Sequence, residues 1–206
     1  MSRPLLPALL LALTLPFTAQ AAEFEANPCD IDDEWAELTG AEMEQAARDG
    51  HASAQYNLAV AYDNGEDGFD QDYERSAYWY LQAAQQGHLC AQYNLGVAYD
   101  DGQGVAADPV KAVYWYRKAA EQGDSDAQYN LAISYQEGSG VEQDYAEAVL
   151  WFTRAAEQGD PDSQFELGKH YAEGLGVEAS AETALHWYRE AASQGHIGAA
   201  KAVRSL

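Results

Sequence analysis

Acidic side chains and glycines near residue 65 have part of the spacing of a calcium-binding loop. Asp63, Asp67, Gly68 and Glu74 fall at positions 1, 5, 6 and 12 of such a loop, which needs oxygen ligands and one sharp turn. Gly65, however, occupies position 3, where another oxygen ligand is expected. A sequence repeat, described below, accounts for both glycines without a metal. We therefore expect no metal site.

The histidines do not form a recognisable catalytic or metal-binding group. His51, His88 and His196 each follow a glycine at the same place in the repeat, so they should lie far apart and open helices. His170 and His186 fall in one unit and could be neighbours, but we expect both at the surface. The sequence contains no Ser-x-x-Lys, Lys-Thr-Gly or Gly-x-Ser-x-Gly motif. We therefore predict no catalytic residues, no cofactor and no enzyme activity.

The chain has two cysteines, Cys29 and Cys90. Other units of the repeat have unlike residues where Cys90 stands, so packing does not require a cysteine there. In an oxidising compartment such a pair often forms a disulfide, which would tie the N-terminal segment to the second unit. Two free thiols are the alternative.

The first residues have the pattern of an export signal. Arg3 precedes an apolar stretch, Leu5 to Phe17, which is too short to span a bilayer well. Small residues around Ala19 and Ala21 form a cleavage site, and we place the cut after Ala21 or, as an alternative, after Ala22. We expect a periplasmic protein, with secretion as the alternative; an uncleaved N-terminal anchor is a further possibility.

Charge restricts the partners. The chain has 34 acidic residues against 11 Lys and Arg, a net charge of −23, and loss of Arg3 with the signal would make it −24. Nucleic acid and anionic lipid headgroups would be repelled, whereas a basic protein would be attracted. General solubility is the alternative reason for such a charge.

A 36-residue period dominates the rest of the sequence. Tryptophans recur at this interval, at Trp79, Trp115, Trp151 and Trp187. Gln-Gly pairs keep the same interval, at residues 86–87, 122–123, 158–159 and 194–195. A period of this length indicates stacked repeats, which usually form a surface for partners rather than a catalytic pocket.

Residues 89–123 show how one unit folds. Apolar residues at helical spacing predict a first helix, which Gly102 and Gly104 end because glycine can take positive φ. Asp108 is a good N-cap and Pro109 suits the first turn of the second helix, which Gly123 ends. Each helix pair alone would leave one face wet, so neighbouring units must stack.

These motifs resemble a known family. The pattern Ala-Gln-Tyr-Asn-Leu-Gly-x-x-Tyr, then Gly-x-Gly-Val, then Ala-x-x-Trp-Tyr-x-x-Ala-Ala-x-Gln-Gly over residues 91–123 is similar to the Sel-one-like repeat (SLR), a relative of the tetratricopeptide repeat. The resemblance implies an all-α fold, a right-handed α-solenoid of antiparallel helix pairs. We expect a signal peptide at 1–21, an acidic segment at 22–38, a capping helix at 39–50, repeats at 51–86, 87–122, 123–158 and 159–194, and a closing helix at 195–206.

The resemblance also implies where a partner would bind. In related solenoids the first helices line the concave face. If Ala54, Leu58 and Tyr62 point into the core, the opposite side carries an aromatic-amide row with an acidic margin. We predict that the partner-binding residues are Tyr56, Asn57, Val60, Asn64, Tyr93, Asn94, Val97, Asp101, Tyr129, Asn130, Ile133, Glu137, Glu166, Lys169 and Glu173. Packing between repeats is the alternative role for the tyrosines and asparagines.

The function expected from these features is protein binding. We predict a monomeric periplasmic solenoid that holds a basic protein in its concave groove, without nucleic acid or membrane insertion. Bacterial SLR proteins include immunity proteins against type VI secretion phospholipases, and this is the sharpest form of the prediction. An adaptor or regulator of an envelope signalling or polysaccharide-export complex is the alternative. A weak β-lactam- or peptidoglycan-directed hydrolase is the alternative from a different class.

Overall fold

The computed structural model describes residues 38–205, and this part of the chain contains ten helices and no strand. The predicted signal peptide (1–21), the predicted acidic segment (22–38) up to residue 37, and Cys29 lie outside the described residues. The helices are α1 (Gly40–Arg48), α2 (Ala52–Asn64), α3 (Tyr73–Gln85), α4 (Leu89–Asp101), α5 (Pro109–Glu121), α6 (Ser125–Glu137), α7 (Tyr145–Glu157), α8 (Pro161–Glu173), α9 (Ala181–Ser193) and α10 (Ile197–Ser205).

Four helix pairs stack in chain order. The pairs are α2 with α3, α4 with α5, α6 with α7 and α8 with α9, and each pair packs on the next through consecutive helices. We call them units 1 to 4. The first helices of the units form the A layer (α2, α4, α6, α8), and the second helices form the B layer (α3, α5, α7, α9). The predicted α-solenoid of helix pairs is confirmed.

Helix ends follow the expected chemistry. The B helices begin at side-chain caps, as at Asp108, which accepts the Lys111 backbone N–H at 3.1 Å. The A helices end at left-handed glycines such as Gly102, with φ 72°. The second loop glycine has a different role: a Cβ on Gly104 would overlap the backbone carbonyl of Tyr73, at the start of the preceding B helix. Only a glycine lets the loop lie on that helix start.

Glutamine side chains bond each unit to its neighbour. Gln128 of α6 donates to the Ala120 carbonyl at the end of the preceding B helix, at 3.1 Å. The Gln128 side-chain oxygen accepts from Gln158 at 2.8 Å. The same pair of bonds recurs with Gln55, Gln92 and Gln164 in the place of Gln128. This buried ladder explains why glutamine keeps the period of the repeat.

The core consists of one leucine per unit surrounded by alanines and rings. Leu58, Leu95, Leu131 and Leu167 are at most 1% exposed. Small residues such as Ala127 and Ala148 let the helices approach closely. Burial of these side chains in every interface makes each unit depend on its neighbours for stability.

The two end helices continue the interfaces of the repeat. Glu42 of α1 accepts hydrogen bonds from the backbone N–H and hydroxyl of Thr39, and Gln55 donates to the Ala47 carbonyl as it would to a preceding B helix. At the other end, α10 buries Ala199 against unit 4. Both helices therefore cover an end that would otherwise expose core.

One expectation about histidine is wrong. His170 is a core residue, 1% exposed, and not a surface side chain. Its ring nitrogens lie 2.8 Å from the Leu175 carbonyl oxygen and 2.8 Å from the Gln136 side-chain oxygen. Units 2 and 3 have Ala98 and Ser134 at this position, so the period alone could not reveal a buried ring.

Candidate partner-binding groove

The predicted partner-binding residues all lie on the A layer, but they differ in exposure. Asn64, Asp101, Glu137 and Glu173, at the C-terminal ends of the A helices, are exposed. A second group is half-buried: Tyr93, Asn94, Val97, Tyr129, Asn130, Ile133, Glu166 and Lys169, together with Val60. We call the two groups together the A-layer groove, because they lie on the face predicted to be concave.

Two predicted contacts need correction. Tyr56 is 8% exposed and Asn57 is 5% exposed, so neither side chain is open to a partner. Tyr56 stacks on His88, with ring centroids 4.6 Å apart, and packs against Tyr80 of its own unit at 6.0 Å. Unit 1 therefore contributes Val60 and Asn64 to the groove, but not its aromatic-amide pair.

The other aromatic rings of the row also pack within the solenoid. Tyr93 lies 6.2 Å from Tyr116, and Tyr129 lies 5.9 Å from Phe152, measured between ring centroids. In unit 4, Phe165 stacks on His196 at 4.4 Å. Packing is thus one role of these rings, and only the partly exposed edges of Tyr93 and Tyr129 remain for a partner.

Charge differs sharply between the two layers. The A helices carry eight acidic residues and one lysine, Lys169, a net charge of −7. The B helices carry six acidic and six basic residues, a net charge of zero. Lys169 also lies 2.7 Å from Glu166, so the A layer has no free cation among the described residues.

Acidic side chains of units 3 and 4 act on the Tyr129 ring. Burial raises the pKa of Tyr129, and the charges of Glu166, Asp162, Asp160 and Glu137 raise it further. The phenol therefore lies in a negative field that these carboxylates produce. A cation from another molecule would reduce the repulsion among the carboxylates themselves.

Half-buried Asp124 belongs to the same field. Burial raises its pKa, and the charge of Asp126 adds to the rise, while the hydrogen bond from the Ala127 N–H opposes it. Asp124 is also the N-cap of α6, at 2.7 Å from that N–H. The sequence analysis did not identify this cap, and it did not show that Asp124 and Asp126 would lie close enough to repel.

Sequence reasoning missed the exposed apolar side chains of the B layer. Tyr78 and Tyr114 are 54% and 53% exposed, at equivalent positions one unit apart. Leu150 occupies the same position in unit 3 and is 43% exposed, and Val110 of α5 is 64% exposed. The 36-residue spacing could have revealed Tyr78, Tyr114 and Leu150, because each of these three directly precedes a tryptophan of the repeat. Val110 lies outside that spacing pattern.

The carboxylates considered above as calcium ligands do not form a metal-binding group in the described part of the chain. Within residues 38–205 no cluster of His, Cys, Asp and Glu could hold a metal ion. The Asp63 carboxylate accepts a hydrogen bond from the Ser76 hydroxyl at 3.3 Å.

None of the helices in residues 38–205 is long and apolar enough to cross a bilayer.

The predicted Cys29–Cys90 bridge cannot be placed, because Cys29 lies outside the described residues. Cys90 is buried beside Ala91 and Leu95 in the core between units 1 and 2. The bridge stays a prediction.

Two solved structures are most informative about the fold. The chain is 41% identical to a protective antigen of uropathogenic Escherichia coli with an SLR fold, at a TM-score of 0.75, over 79% of this chain and 34% of that one. It is 36% identical to a Sel1 repeat protein from Oxalobacter formigenes, at a TM-score of 0.73, over 81% of this chain and 48% of that one. The chain thus spans about a third and about half of these proteins. No curated protein matches it.

The repeat itself matches a family model. The model for the Sel1 repeat, the family named above as SLR, matches residues 52–88, 91–124, 125–160 and 161–196. These matches coincide with the four helix pairs and cover most of the chain. Members of this family are generally protein-binding solenoids without catalysis. The chain belongs to the Sel1 repeat family.

Proposed function

We propose that this protein is a periplasmic, non-enzymatic solenoid whose A-layer groove binds a basic protein. The observation that supports this most directly is the division of charge, −7 on the A helices against zero on the B helices. Apolar Val97 and Ile133 lie half-buried along the same row, where they can contact a partner held there by charge. The most specific form of this proposal is that the protein is an immunity protein, which neutralises a secreted effector such as a type VI secretion phospholipase.

A capture experiment with matched charge variants tests this proposal. The groove variant is Glu137→Lys with Glu173→Lys, and the control is Glu157→Lys with Glu190→Lys on the B layer. All four side chains are exposed, and both variants change the net charge equally. We expect a basic partner from periplasmic extract to bind wild type and control at low salt, and to be lost with the groove variant and at high salt.

The effector hypothesis needs a separate measurement. Lipase activity of the captured effector should fall as the protein is added and reach its minimum at a one-to-one ratio. Capture of an envelope sensor or polysaccharide-export component, without inhibition of any activity, would instead identify an adaptor. Equal binding by the groove variant and the control would contradict the groove as the binding site.

A further inference from the structure

The B layer carries an apolar surface that the proposed function does not use. Among residues 38–205, six large apolar side chains are exposed, and five of them lie on B helices while none lies on an A helix. We define the B-layer patch as Tyr78, Val110, Tyr114 and Leu150. Exposed apolar side chains grouped in this way mark interaction surfaces more often than scattered ones do.

The aromatic rings of the patch are held in place. Tyr78 packs edge-on against Trp79 at 5.0 Å between centroids, and Tyr114 packs in the same way against Trp115 at 4.9 Å. A ring already fixed by a neighbour loses little conformational entropy when a partner covers it. The patch is therefore suited to contact despite its modest size.

Charged side chains beside the patch come in equal numbers of each sign. Lys118 and Arg154 lie one turn beyond Tyr114 and Leu150, and Glu121 and Glu157 follow them. Lys118 lies over the Tyr114 ring at 5.9 Å, and Arg154 lies over the Trp151 ring at 4.3 Å. None of these four charges belongs to an ion pair in the described structure.

In place of the monomer expected from the sequence, we infer that the B-layer patch is the contact between two copies of this chain. A two-fold contact requires a surface that is complementary to itself, and an apolar row with two cations and two carboxylates meets that condition. Two B layers can meet without net repulsion, whereas two A layers would bring −7 against −7. Both acidic grooves then face outward.

The dimer should be weak and favoured by salt. The patch has four large apolar side chains, whereas a standard interface has roughly 20–30 residues on each side, so we expect association to depend on protein concentration. The remaining charge of the two copies repels, and salt screens that repulsion more than it weakens the apolar contact. Binding in the A-layer groove has the opposite salt dependence, so the two interactions are separable.

Sedimentation equilibrium of the mature protein tests this inference. We expect a monomer–dimer equilibrium whose dissociation constant falls with added salt. Tyr114→Ala should raise that constant by at least about tenfold. Ile197→Ala is the matched control, because Ile197 is 73% exposed but lies on α10, outside the patch. A monomer at every concentration, or dissociation by Ile197→Ala instead, would overturn the proposal.

A charge-swap experiment checks the same contact without removing apolar surface. Lys118→Glu with Arg154→Glu makes all four charges acidic, and Glu121→Lys with Glu157→Lys makes all four basic. Each variant alone should fail to dimerise, and an equal mixture should form a heterodimer. If the mixture remains monomeric while wild type dimerises, the B-layer patch is not the interface.

Discussion

The A and B layers have the same helix lengths and the same period, yet they present opposite surfaces. The A layer is acidic and hides its rings, with Tyr56 buried and Tyr129 half-buried. The B layer is electrically balanced and exposes Tyr78 and Tyr114. Stacking fixes which residues fill the core, and it leaves the chemistry of the two outer surfaces free to diverge. One solenoid can therefore offer two different binding surfaces.

The largest effect should come from breaking the contact that holds neighbouring units in register. Gly104→Ala places a Cβ against the Tyr73 backbone, at a φ of 67°. We expect a loss of about 3 kcal/mol or more in the free energy of unfolding, since neither backbone segment can move away easily.

The control for that substitution is Gly123→Ala. Gly123 also has a positive φ, 103°, but open space where a Cβ would go. It should cost only about 1–2 kcal/mol, the cost of the backbone conformation. Denaturant unfolding of both variants measures the difference, and equal losses would show that the loop does not depend on close approach.

A second prediction compares one histidine from each layer. His170→Ala in the A layer leaves a cavity and removes the partner of the Gln136 side chain, so we expect a loss of about 2–3 kcal/mol. His186→Ala in the exposed surface of the B layer should cost less than about 0.5 kcal/mol. Thermal unfolding of both variants measures the two losses. If His170→Ala lost no more stability than His186→Ala, the imidazole ring would not contribute to the packing between units 3 and 4.

Neighbouring substitutions explain why unit 4 places a histidine in the core. In unit 2 the Tyr116 hydroxyl lies 3.5 Å from the Asp100 carboxylate. In unit 3 Phe152 and Gln136 occupy the equivalent positions, and Gln136 instead meets the His170 ring of unit 4. The His170 ring also lies 5.5 Å from the Phe152 ring, so the three residues contact one another across the two units, which a comparison of single positions does not reveal.

The smallest predicted effect comes from relieving charge on the A layer. Burial raises the pKa of Asp126, and Asp160 raises it further. A carboxylate with a raised folded-state pKa favours folding only when protonated, so its effect becomes unfavourable as pH rises through that pKa. Asp126→Asn should therefore raise the free energy of unfolding at pH 7 by less than about 1 kcal/mol, which a slightly higher melting temperature would show.

The pH dependence provides the internal check. Below an ordinary aspartate pKa of about 3.9 the gain from Asp126→Asn should vanish, because the carboxyl is then neutral in both states. Glu157→Gln on the balanced B layer should give no gain at either pH. A similar gain from both substitutions would mean that total charge, rather than the A layer, limits stability.

The sequence predicted the period, the helix pairs and many of their caps, because glycines, aspartates and tryptophans recur at fixed offsets. It did not predict which side chains are exposed. Each helix in this solenoid packs against the other helix of its own unit and against a helix of the adjacent unit, so the exposure of a side chain depends on both neighbours. Tyr56 and Tyr129 are equivalent in sequence, yet only Tyr129 is partly open. Tyr78 was missed because it directly precedes the partly buried Trp79, and an apolar residue next to such a tryptophan is easily assigned to the core.

The most direct test of the division between the layers is to measure how tightly a labelled lysine-rich peptide binds to three proteins. These are the wild type, the groove variant (Glu137→Lys with Glu173→Lys) and the B-layer control (Glu157→Lys with Glu190→Lys). We predict that the groove variant weakens binding by about tenfold or more at low salt, and that the control weakens it less than about twofold. Equal weakening by both variants would contradict the account, since net charge alone would then explain the attraction.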